Sequence, residues 1–222
     1  MAFLIETWLS EIQQKLLSAF NNRILFMGLQ GSYARGEASD ESDIDFVLIL
    51  DEAKFSDLET YQSIIRSMPF SEKACGFVSG KKEIENWEKS DLFQFIYDTK
   101  PLYGDLTQLI SPLAENDIRL AVKNGAQNLY HASVHSYLFD NDLPAALSAL
   151  YKMAFFILQA EYFLSSNKYV SSKKELLSLL EDGDKEILNY CLNREKFTAF
   201  SEMQIKSAYE KLIYWCSKKI TN

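Results

Sequence analysis

Residues 30–50 read QGSYARGEASDESDIDFVLIL. A Gly-Ser turn, Gly31-Ser32, leads into a polar loop that ends at Asp43 and Asp45, with the apolar Ile44 between them. The runs before and after, RILFMGL at 23–29 and the stretch from 43 to 50, are apolar enough for buried strands. Side chains alternate along a strand, so Asp43 and Asp45 share one face while Ile44 points to the other. Two carboxylates on one face repel each other and are costly to desolvate, so a cation is expected between them.

Mg²⁺ suits that place, being a hard cation that takes carboxylate, phosphate and water oxygens. The turn suits an anion. It follows a strand and opens a short helix over residues 33–37, leaving backbone N–H groups free. Gly31 has no side chain to block a phosphate, and Ser32 adds a hydroxyl. If the two strands pair, a triphosphate at the turn and metal at the aspartates are neighbours. That arrangement suits in-line displacement at phosphorus.

Gly31-Ser32, ten residues, then Asp43-Ile44-Asp45, each beside an apolar strand, resembles the nucleotidyltransferase superfamily with the DNA polymerase beta-like palm. The fuller string GSYARGEASDESDIDFVL is close to its small bacterial branch, which includes kanamycin nucleotidyltransferase and the minimal nucleotidyltransferases. The resemblance implies a mixed β-sheet with flanking helices, a bound nucleoside triphosphate (ATP first) and two Mg²⁺ ions. By that likeness Asp43 and Asp45 are the catalytic metal ligands, and Gly31 and Ser32 hold the β,γ-phosphates. Arg35 falls where the family often has a basic residue near the phosphates or the loop. The family also places a third carboxylate on a later strand. Here that strand reads CGFVSGKKEI, the aligned position is Gly76, and no acid lies in 74–80. Glu72, Glu83 and Asp98 are the nearby acids.

Elsewhere in the first half, Phe3, Leu4, Trp8, Ile12, Leu16, Leu17 and Phe20 form a helical stripe. A helix is expected over 54–67, with Phe55, Leu58, Tyr61, Ile64 and Ile65 on one side, before Pro69 breaks the chain. A strand at 75–79, a helix at 82–90 and a strand at LFQFIY, 92–97, complete a small α/β unit closed by Pro101 to Gly104. From about residue 106 helical patterns dominate, at 114–139, 143–166, 172–180, 184–193 and 201–219. The expected fold is therefore α+β. A nucleotidyltransferase-type domain over 1–108 precedes an all-α helical bundle over 109–222 that binds an acceptor or a partner.

Net charge is −8, and residues 1–100 carry 17 acids against 10 bases. That excess disfavours a general nucleic-acid binder, which shows a basic face. Cys75, Cys191 and Cys216 are odd in number and show no zinc spacing, so reduced thiols and a cytoplasmic setting are expected. No window of 18 uncharged apolar residues is present, so no membrane span is expected.

The second half has the texture of the helical partner domain beside such enzymes. That domain can supply a glutamate, and Glu161, mid-helix among apolar residues, is the candidate; a helix-pair partner is the competing reading. His131 and His135 share a helix face but lack the glutamate of a metalloprotease motif, so surface histidines are expected. Arg119 and Arg194 have no nearby following histidine, which disfavours an RNase. Phe155, Phe156, Tyr162 and Phe163 read as helical core.

Two functions compete. One is transfer of a nucleoside monophosphate to a hydroxyl of a small molecule or protein, with release of pyrophosphate. The other is a nucleotide-binding or partner-binding module whose chemistry is weakened at Gly76. A homodimer fits either.

Overall fold

A computed structural model describes Leu4–Thr221. Phe3, counted in the first helical stripe, lies outside the described residues. Helix α1 (Ile5–Phe20) buries Trp8, Ile12, Leu16 and Phe20, one every four residues along a single face. Leu4 and Leu17, expected on that stripe, are exposed.

Strand β1 (Ile24–Gln30), helix α2 (Gly31–Arg35), strand β2 (Ile44–Leu50) and helix α3 (Phe55–Arg66) follow. Next come β3 (Ala74–Gly80), α4 (Lys81–Glu85), α5 (Lys89–Tyr97) and β4 (Lys100–Gly104). The sheet order is β3-β2-β1-β4, with β2–β3 parallel and the other pairs antiparallel. One sheet face carries Ile44, Phe46, Leu48 and Leu50 of β2 and packs with α1; Tyr61, Ile64 and Ile65 of α3 join that core. Phe55 and Leu58, expected on the same side of α3, are exposed. Val47 and Ile49 are buried on the opposite face.

The expected strand at LFQFIY is instead the body of α5, and the strand lies at Lys100–Gly104. A short apolar run reads equally as strand or helix. Here Phe93 packs on Phe163 and Tyr169, whereas Phe95 packs on Phe77 at 5.0 Å between ring centroids. Pro101 is tolerated because β4 is an edge strand, where a missing N–H donor is harmless.

The helices of the second half follow the expected segments: α6 (Glu115–Phe139), α7 (Leu143–Ser166), α8 (Lys173–Leu179), α9 (Asp182–Leu192) and α10 (Glu202–Thr221). Asp142 caps α7 by accepting from the Ala145 N–H at 3.1 Å, Pro144 sits in its first turn, and Asn167 ends it in a left-handed conformation. Leu129, Tyr151, Phe155, Leu158, Leu188 and Leu212 build a common core, which Phe156, Tyr162 and Phe163 join. The Tyr151 hydroxyl donates to the Ala208 carbonyl at 2.8 Å.

Contacts divide the chain into two compact units. One holds the chain up to Glu88 together with Phe95–Pro112; the other holds Lys89–Gln94 and everything from Leu113 onward. The expected division at 108/109 differs on both counts: Leu109–Pro112 group with the sheet, and the first part of α5 groups with the helices. Among the described residues α7 alone is long and apolar enough to cross a membrane by length and composition, and half of its apolar window is buried within the helical unit.

Candidate functional site

Asp45 stands directly across from Gln30 of β1 and from Cys75 of β3. Partners across a ladder share a face, so these three side chains form a row over three strands. Asp43 lies just before β2 and is exposed; Asp45 is half-buried. The strand begins at Ile44, whose side chain is fully buried on the core face, and this fixes the opposite orientation for its neighbours.

Gly31 opens α2 with φ +71°, a backbone region that favours glycine. A Cβ placed there would overlap the Asp45 carboxylate, with the carboxyl carbon only 3.0 Å away. The turn backbone is thus pressed against the acid. Ser32 is half-buried in the first turn of α2, and its carbonyl accepts from the Glu37 N–H at 2.8 Å. Gly36, also left-handed, ends this short helix. The loop beyond is closed by the Ser39 N–H donating to Ser42 Oγ at 2.9 Å and by Lys73 donating to the Asp40 carbonyl. Burial, and then the Asp40 charge, raise the Tyr33 hydroxyl above its ordinary pKa.

The donor set fits a hard cation. Among the described residues no group of three or more His, Cys, Asp or Glu side chains is placed to hold a metal by itself. Two carboxylates on one face, with the other coordination positions left to phosphate oxygens and water, are the usual terms on which Mg²⁺ binds beside a nucleotide.

Arg35 is held by carboxylates of the protein. Its side chain is only 5% exposed and is paired with Asp98, itself 7% exposed, while Glu37 Oε2 lies 3.6 Å from Nε. Its charge is balanced by protein carboxylates. Gly76 departs from expectation. It is exposed and pairs with Phe46, so it is not the β3 position beside Asp45. That position is Cys75, which is exposed. The reason is register: β3 runs parallel to β2, and the chain's own numbering does not reveal which residue comes level with Asp45. Of the nearby acids, Asp98 holds Arg35, and Glu72 and Glu83 are exposed.

In the helical unit Glu161 is the partner of Lys219, with Oε2 2.5 Å from Nζ. Lys219 also reaches Asp184 at 3.0 Å, and the Trp215 indole N–H donates to Asp184 at 2.6 Å. Burial raises the Glu161 carboxyl above the ordinary range, with Lys219 partly opposing. His131 and His135 are both exposed, with rings 6.3 Å apart. Arg119 pairs with Glu115, and Arg194 donates to the Cys191 carbonyl at 3.3 Å.

Two residues of the site, Gln30 and Cys75, were not singled out for it by the sequence reading, and Asp98 was named there only as a nearby acid. Gln30 could have been found, because it immediately precedes Gly31 on a strand facing β2. Cys75 needed the register. Asp98 needed the tertiary fold, since it meets Arg35 across 63 positions of chain.

Residues 9–110 match the family described as the nucleotidyltransferase domain. Among solved structures the chain is similar to spectinomycin adenyltransferase AAD(9) from Enterococcus faecialis, solved with ATP and spectinomycin. The TM-score is 0.61 at 13% sequence identity, over 98% of this chain and 99% of that one. At that identity the likeness is one of fold. No curated protein matches this chain by sequence. The family match covers the strand, turn and paired aspartates described above, so the N-terminal part of the chain, residues 9–110, matches a nucleotidyltransferase domain.

Proposed function

We propose that the protein transfers a nucleoside monophosphate, from ATP first among the nucleoside triphosphates, to a hydroxyl group of a small molecule. The observation that carries this reading is the contact of the Gly31 turn with the Asp45 carboxylate. A phosphate lying on the Gly31-Ser32 backbone would be within reach of a cation on Asp43 and Asp45. Mg²⁺ held there, as one ion or two, would neutralise charge on the triphosphate oxygens.

The chain's own residues do the rest. Gly31 lets the phosphate approach the backbone, and Ser32 adds a hydroxyl donor. Ile44 orients the aspartates by burying itself. The acceptor oxygen forms a bond to the α-phosphorus, the bond from that phosphorus to the bridging oxygen breaks, and pyrophosphate leaves. The hydroxyl proton passes to a base other than Asp43 or Asp45, because both are committed to the cation. Spectinomycin, the ligand of the structural neighbour, is the first acceptor to try, followed by aminoglycosides and lincosamides. The charge of −8 suits a cationic acceptor better than nucleic acid.

A second reading has its own observation. Cys75, and not a carboxylate, stands beside Asp45 on β3. A site with two acids holds a second metal weakly, which favours a module that binds nucleotide without transferring it. Calorimetric titration of ATP with and without Mg²⁺, into the native chain and the Asp43→Asn/Asp45→Asn variant, tests both readings. Mg²⁺-dependent binding lost in the variant is expected; metal-independent binding or none would overturn the assignment of the site. Radiolabel transfer to an acceptor then separates enzyme from module.

A further inference from the structure

One short segment, Phe95–Thr99, holds both ends of the Gly31–Arg35 turn. At the start, Gln30 Nε2 donates to Thr99 Oγ1 at 2.6 Å and to the Phe95 carbonyl at 3.2 Å. Thr99 Oγ1 donates in turn to that same carbonyl. At the end, the Arg35 guanidinium is paired with Asp98, and both side chains are almost fully buried. Between these anchors Gly31 bears on Asp45.

Burying an ion pair is a poor route to stability, because desolvation offsets most of the attraction. Its geometry, however, is strict: a planar guanidinium meets a carboxylate in few orientations. The pair therefore fixes direction more than it adds stability. We infer that Asp98, acting through Arg35, is a positioning residue that sets where the Gly31-Ser32 backbone stands relative to the Asp45 carboxylate, with Thr99 doing the same through Gln30. The inference rests on the proposed reading of that turn as a triphosphate site. It also gives Arg35 a role other than phosphate ligand: Asp98 and Glu37 already face its guanidinium, so charge on the phosphates would be met by backbone N–H groups and the cation.

The test uses the full chain with Asp98→Asn, Asp98→Glu and Thr99→Val. Asp57→Asn serves as a control that breaks a different ion pair, with Arg23 at the far end of β1. Three quantities are read: calorimetric Kd for Mg²⁺-tripolyphosphate and Mg²⁺-ATP, Mn²⁺ binding without nucleotide, and amide hydrogen exchange over residues 31–36 in the free protein. Asp98→Asn should weaken both phosphate ligands about tenfold, speed exchange at 31–36, and leave Mn²⁺ binding and β2 exchange unchanged. Asp98→Glu should recover part of the affinity, and Asp57→Asn should lower the melting temperature with no change in Kd. If Asp98→Asn does not fold, Thr99→Val carries the same expectations with a smaller change. Unchanged exchange at 31–36, or an equal loss of affinity in Asp57→Asn, would overturn the inference. Should the native chain bind neither phosphate ligand, the nucleotide reading fails, and the exchange data alone decide whether Asp98 positions the turn.

Discussion

The α-carbon of Gly31 stands against the Asp45 carboxylate, leaving no room for a β-carbon between them. The turn and the acid come from different strands, and the antiparallel register of β1 on β2 brings them level by pairing Gln30 with Asp45. The Gly31 turn and the Asp45 carboxylate thus share one corner of the sheet.

Gly31→Ala places a methyl group into that corner on a backbone with φ +71°. The strain alone costs about 1–2 kcal/mol, and the carboxylate must move as well. Thermal unfolding should show a modest loss of stability, while calorimetry should show Mg²⁺-ATP binding abolished. Retained binding would mean that the phosphate does not rest on this turn.

Position 75, and not 76, is where a third carboxylate can be installed. Cys75→Asp adds an acid beside Asp45 on an exposed strand position, and Mg²⁺-dependent ATP affinity should rise about threefold to tenfold. Gly76→Asp should instead destabilise the fold by about 3 kcal/mol or more. Its φ is +136°, and a Cβ would lie 2.6 Å from the Phe46 backbone nitrogen. Denaturant titration of the two variants side by side decides between register and sequence alignment; an equal outcome would refute the register argument.

The Arg23–Asp57 pair gives a pH signature. Arg23 grips Asp57 with two hydrogen bonds of 2.8 and 2.9 Å, and the carboxyl is held at about 2 against an ordinary 3.8. A depressed carboxyl stabilises the fold above its unfolded pKa, and that contribution disappears as pH falls through the folded value. The stability difference between the native chain and Asp57→Asn should be full at neutral pH and shrink between about pH 4 and pH 2. A difference that is flat across this range would show that the pair is not ionised as a unit.

Lys219 bridges Glu161 and Asp184, so Lys219→Met leaves two half-buried carboxylates without their cation. The pair is partly solvated, and the cost should be about 1–2 kcal/mol. Burial already raises the Glu161 carboxyl, and removing Lys219 takes away the opposing charge. Protonation therefore relieves the variant, and its deficit should narrow as pH is lowered from 7 toward 5. A deficit that widens on acidification would exclude this account.

The aspartate pair, the Gly-Ser turn and the strands around them were legible in the chain because each is local. Alternation puts Asp43 and Asp45 on one face, and a turn residue with positive φ calls for glycine. The long helices of the second half were legible for the same reason, as runs of periodic apolar residues punctuated by Pro144, Gly183 and the Ser171-Ser172 pair. The strand expected at LFQFIY failed because a short apolar run contains no period long enough to choose between helix and strand, and packing made the choice.

What the tertiary structure alone decided is which distant residues meet. Parallel pairing of β3 on β2 puts Cys75 beside Asp45 and Gly76 beside Phe46. The residue just after α5, Asp98, meets Arg35 and makes that arginine part of a buried pair. Both outcomes depend on register and on contacts across tens of residues, where sequence spacing carries no information. The sequence by itself determined the chemistry that the turn and aspartates can support; the fold determined which residues stand around them.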